Sequence, residues 1–91
     1  MFEQIIWGLP TDRRSNYRHI LDGHDVTIAE VEEVLQNPTN PTVVSRKSGH
    51  PIVFGRTRSG KYIAVVYEHV LDDPRTCYPI TAYPVRERGS G

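Results

Sequence analysis

At 91 residues the chain has apolar content for one core, and its 37% hydrophobic and 24% charged residues describe a globular domain, not a disordered segment. Eleven Lys and Arg balance 11 Asp and Glu, so no net charge draws the chain indiscriminately to nucleic acid. The single Cys77 excludes an internal disulfide, no Cys/His spacing suggests zinc, and the longest apolar runs, such as Ile63 to Tyr67, are too short to cross a bilayer.

The start "MFEQIIWG" has an acidic residue and no basic region, unlike a secretory signal, so the sequence reads as one cytoplasmic domain over residues 1–91. Neither a cofactor nor a membrane partner is expected. "FEQIIW" reads as a short strand ended by Gly8 and Pro10. Thr11 or Asp12 then caps a helix with apolar Tyr17, Ile20 and Leu21 at i, i+3, i+4, and Gly23 stops it by entering the left-handed conformation. The second helix has the clearest signal. Thr27 and Glu30 form a T-x-x-E capping box, and Val26 and Val31 occupy the positions of a hydrophobic staple. Val31, Val34 and Leu35 form its buried stripe, Glu30, Glu32, Glu33 and Gln36 face water, and Asn37-Pro38 ends it.

From there the pattern is β. "TVVSR" leads to a turn at "KSGH", then "PIVFGR", a turn at "RSG", and "KYIAVVYEHV", the strongest strand, rich in β-branched and aromatic residues. "LDDPR" reads as a polar loop before the last strand, "TCYPITAYPV". Pro79 and Pro84 cannot donate ladder hydrogen bonds, which predicts an irregular strand or one partly at an edge. The order β-α-α-β-β-β-β predicts an α+β fold with two N-terminal helices on a mainly antiparallel sheet of four to five strands.

Charge is unevenly spread along this order. Asp25 to Gln36 holds Asp25, Glu30, Glu32 and Glu33 with no basic residue, whereas Thr42 to Tyr67 holds Arg46, Lys47, Arg56, Arg58 and Lys61 with no acidic one. Such asymmetry puts a basic face on a neutral protein, or it marks two solvated faces.

The run "HILDGHDVTIAEVEEVL", then "VFGRTRSGKYIAVVYE", then "YPITAYPVRER" resembles the BrnT-type toxins and their relatives in the RelE/ParE-like superfamily of bacterial type II toxins. The likeness runs in order from about Trp7 to Arg88. It implies a RelE-like fold and a metal-independent endoribonuclease that inhibits translation, acting on RNA either free or on the ribosome. It also implies a ribbon–helix–helix antitoxin that covers the toxin and alone contacts operator DNA.

Metal-free RNA cleavage uses the 2′-hydroxyl as nucleophile and needs a base, an acid for the departing 5′-oxygen, and cations around the phosphorane. Arginine suits the cationic role through its permanent charge and planar fork, and histidine is the usual proton shuttle. The resemblance places the family's "HGV" histidine at His24, here followed by Asp25, which either orients the imidazole or repels RNA. His24 can equally be read as a packing residue of the first helix. His19 reads as a surface residue, unless a left-handed Gly23 cap brings it near His24.

Arg56 follows "VFG" where the resemblance places a basic or polar site residue. Tyr83 stands where relatives often carry arginine, a departure that shifts the electrostatic burden onto Arg56 and Arg86. The catalytic candidates are therefore His24, Arg56, Tyr83 and Arg86, and the RNA-binding candidates are Arg46, Arg58, Lys61 and Arg88. The bland counterparts are solvated turns and a self-paired tail. Phe2, Trp7 and Leu9 read as core or as part of an antitoxin contact. The competing functional reading is a non-enzymatic or degenerate module of the same fold acting through protein partners.

Overall fold

A computed structural model of the chain describes residues 2–23, 25–38 and 42–86. The elements follow the expected order: β1 (Gln4–Ile5), α1 (Asn16–Gly23), α2 (Ile28–Gln36), β2 (Val43–Val44), β3 (Pro51–Arg56), β4 (Tyr62–Asp72) and β5 (Arg75–Pro84). The five strands form one mixed sheet in the order β1-β5-β4-β3-β2. Three neighbouring pairs are antiparallel, and β1 runs parallel to β5, with Gln4 opposite Thr76 and Ile5 opposite Cys77. No helix among the described residues is long and apolar enough to cross a membrane.

The second helix forms as its local sequence dictates. The Glu30 N–H donates to Thr27 Oγ1 at 3.1 Å, and the Thr27 N–H donates to Glu30 Oε1 at 2.9 Å, completing the capping box. Val26 and Val31 are both buried in the core, as are Val34 and Leu35. These residues pack against Val53 on β3 and Ile63, Val65 and Tyr67 on β4. Gly55 lets the helix come close: a Cβ there would lie 3.0 Å from Val34 Cγ1 and 3.4 Å from the Asn37 carbonyl oxygen.

The first helix departs from expectation. The Asp12 carboxylate accepts the Arg14 N–H at 2.9 Å in a local turn, so it does not cap the helix. Ser15 does, its Oγ accepting the Arg18 N–H at 3.1 Å. The buried face is Asn16 and Ile20, while Leu21 is 39% exposed. Asn16 turns inward because its amide bridges chain segments: it donates to the carbonyls of Ile6 (3.0 Å) and Pro79 (2.7 Å) and accepts the Gly8 N–H (2.8 Å). Gly23 ends the helix without a left-handed cap. Among the described glycines only Gly49 and Gly60, in the two turns flanking β3, have positive φ.

The last strand also differs. "LDDPR" is no loop: Leu71 and Asp72 stay in the ladder opposite Thr76 and Arg75, and Asp73-Pro74, joined by a cis peptide, closes a tight hairpin. β5 is irregular as Pro79 predicts, with a register shift where Tyr67 meets Pro79, and it is partly at an edge, since β1 flanks it only at Thr76 and Cys77. Proline is accommodated there because β1 pairs only with Thr76 and Cys77, and the Asn16 side chain takes over beside Pro79.

Candidate functional site at the helix-free face of the sheet

Both helices lie on the sheet face that carries Val53, Ile63, Val65 and Tyr67. Strand alternation puts Ile52, Phe54 and Arg56 of β3 on the other face, with their register partners Val66, Ala64 and Tyr62 of β4. Thr81 and Tyr83 of β5, opposite Val66 and Ala64, continue that face. No helix covers it. The Phe54 and Tyr62 rings stack at 6.1 Å with 19° between their planes, and the Arg56 guanidinium stands 5.7 Å from the Tyr62 centroid. Arg56 Nη1 also donates to the Gly60 carbonyl at 2.7 Å, which fixes the guanidinium over the ring. Ala64, between Phe54 and Tyr83 in the ladder, is fully buried, whereas Tyr83 is 42% exposed.

The candidate residues separate into groups. The Val85 N–H donates to the Tyr62 carbonyl at 2.8 Å, so the chain stays beside β4 past the end of β5. Exposed Arg86 therefore leaves the sheet at the end where Arg56 and the Arg58 turn lie. Arg56, Arg58, Tyr83 and Arg86 thus share one region. Arg46 does not, since its turn precedes the first residue of β3, and six strand residues put it ~20 Å from Arg56. His24 and Arg88 lie outside the described residues.

Lys61 corrects the expected basic face. Its ammonium sits 3.1 Å from Glu30 Oε1 and also donates to the Asp25 carbonyl, so it closes the turn onto α2. Burial alone would raise the Glu30 carboxyl, but the Thr27 N–H, the Lys61 ammonium and the Thr27 hydroxyl together hold it below its ordinary value. The other acids of α2 are engaged too, and do not simply face water. Glu32 accepts the Trp7 indole N–H at 2.9 Å, and Glu33 accepts the Arg58 backbone N–H at 2.7 Å. Of the expected apolar contacts, Phe2 is core, Trp7 is half-buried against Tyr17, and Leu9 is 70% exposed.

A second feature was not anticipated. An open groove of about 440 Å³ runs between α1 and β5, lined by Arg13, Arg14, His19, Asp22 and Tyr78 among others. At its wall His19 Nε2 lies 3.2 Å from Thr81 Oγ1, which ties the groove to the helix-free face. The "DRR" run before the helix was its one visible signal in the sequence. Cys77 is no nucleophile: burial pushes its thiol up to about 12. Among the described residues no cluster of three or more His, Cys, Asp or Glu side chains could hold a metal ion.

Comparison of the chain with protein-family models, with curated proteins and with solved structures found no match.

Proposed function

We propose that the chain is a RelE/ParE-like toxin domain, akin to the BrnT type, that receives RNA on the helix-free face and cleaves it without a metal. The observation that carries this reading is that Arg56 and Tyr83 stand on that face beside the Phe54–Tyr62 stack, while the chain carrying Arg86 leaves the sheet at the same end. Stacked rings offer bases a sequence-tolerant platform, and guanidinium groups offer the phosphate two aligned donors. Arg56, held by Gly60 and Tyr62, supplies fixed charge for the phosphorane, and Arg86 adds a second cation. Tyr83 either moves a proton or stacks on a base. His24 is the proposed base, by its place in the sequence. A ribbon–helix–helix antitoxin would cover the same face and alone contact operator DNA.

One observation favours a second reading, a binding module of this fold acting through a protein partner. The Lys61–Glu30 pair offsets one of the positive charges that RNA would meet. Expression of the chain alone separates the two. The nuclease reading expects growth arrest, RNA cleavage that persists in EDTA, and relief by His24→Ala. Tyr83→Phe losing activity would mean proton transfer, and retention would mean stacking. A harmless wild-type chain that leaves RNA intact, with and without ribosomes, would leave the binding module as the better account.

A further inference from the structure

We infer that the groove between α1 and β5 is a phosphate-binding subsite, with Arg13 and Arg14 as its ligands, that takes the RNA backbone beyond the helix-free face. That RNA is the source of the phosphate rests on the function proposed above; the anion site itself rests on the groove.

The cations of this chain differ in what they touch. Arg18 pairs with Asp22 at 2.9 Å, Lys61 with Glu30, Arg56 with Gly60 and Tyr62, and Arg75 stands over the Phe2 ring at 4.9 Å. The Arg13 and Arg14 guanidiniums have neither a hydrogen bond nor an ion pair to any other described residue. Both line the groove, and its carboxylate, Asp22, already faces Arg18. The neighbouring Asp12 carboxylate accepts the Arg14 backbone N–H, outside the groove lining. The local balance is therefore positive, in a concavity rather than on an open surface.

The backbone that presents this pair is fixed on both sides. The Asp12 N–H donates to the Leu9 carbonyl and the Ser15 N–H to the Asp12 carbonyl, each at 3.0 Å, and Asn16 is buried immediately after. Two planar forks on a fixed turn suit the oxygens of a phosphate group. Tyr78 and His19 line the same space. His19 also marks continuity: its partner Thr81 lies two residues before Tyr83 on the same strand face, ~6.6 Å away. A strand of RNA seated at Tyr83 thus meets the groove as its next cationic anchor. Such contacts read the backbone and position it, without reading sequence.

The test uses the full chain, labelled with nitrogen-15, and inorganic phosphate as probe. Saturable amide shifts confined to residues 13–19 and 78–81, abolished by Arg13→Ala with Arg14→Ala, are expected. Absent or scattered shifts overturn the site. A second arm measures binding of a 2′-O-methyl single-stranded oligonucleotide against salt. The double alanine variant should flatten the log–log slope by ~1.4, two phosphate contacts at about 0.7 each for single strands, and Arg13→Lys with Arg14→Lys should restore it. An unchanged slope overturns the subsite as part of an RNA track. Phosphate saturation without oligonucleotide binding upholds the anion site and sinks the RNA reading.

Discussion

Lys61 and Arg14 carry the same charge but stand in opposite circumstances. Lys61, just before β4, is held between Glu30 and the Asp25 carbonyl, and its charge serves to fasten a hairpin to a helix. Arg14, before α1, has its backbone pinned by Asp12 and lines the groove, and its guanidinium has no hydrogen-bond or ion-pair partner among the described residues. Glu30 of the acidic helix α2 pairs with Lys61 of the basic hairpin, and Glu33 accepts a backbone N–H of the same turn. A run of like charge in a sequence therefore marks a surface only when the fold supplies no opposite run to meet it. Positive charge with no described partner lies instead in the α1–β5 groove, at Arg13 and Arg14.

The sharpest way to break this contrast is at Arg56. Arg56→Ala should lower the RNA cleavage rate by ~100-fold, the usual consequence of removing one fixed donor to a developing anion. Single-turnover kinetics would measure it, with circular dichroism to confirm the fold. A loss of only a few-fold would place Arg56 with Lys61, as a residue that holds a turn.

Lys61→Met should do the reverse, leaving cleavage and its salt dependence alone while destabilising the fold. About 1 kcal/mol is expected for a half-exposed pair, less where salt screens it. Urea unfolding of Lys61→Met, Glu30→Gln and the double variant would isolate the coupling. The acid side has a definite sign. Glu30 is held below its ordinary carboxyl value, so its contribution is present above the usual carboxylate range and fades as pH falls through the lowered value. Glu30→Gln should flatten that part of the acid-stability profile. A cleavage defect in Lys61→Met would show that its charge reaches RNA after all.

The smallest effect is expected at Arg46, at the other end of β3. Arg46→Ala should change neither RNA affinity nor stability by more than about 0.5 kcal/mol, as for an isolated surface residue. Loss of binding there would mean that RNA runs along the whole length of the sheet.

The elements that were legible in the sequence are those whose causes are local. The Thr27–Glu30 box, the Val31, Val34 and Leu35 stripe and the period-two strands require neighbours only a few residues away, and all stand where expected. Arg56 and Tyr83 sharing a face follows from strand alternation once the register is known. What escaped depends on distant partners. Nothing near Asn16 announces that it will bond Pro79, and that bond is what turns α1 and leaves Leu21 outside. Nor does a lysine beside a Ser-Gly turn reveal that an acid from another element waits for it. The groove is the extreme case, since Arg13 and Tyr78 meet only through the fold.

Asn16 has a consequence for how the molecule opens in time. β1 has two residues and one neighbouring strand, which ordinarily makes a segment fray on its own. Here a single buried carboxamide joins Ile6, Gly8 and Pro79, and a Cβ on Gly8 would come within 2.6 Å of Ser15 Cβ. The amides of Glu3, Ile6 and Gly8 should therefore exchange their hydrogens together with the α1–β5 contact rather than one by one from the end. Asn16→Ala would uncouple them, turning the N-terminal strand into a separately exchanging unit while the α2-side core keeps its protection.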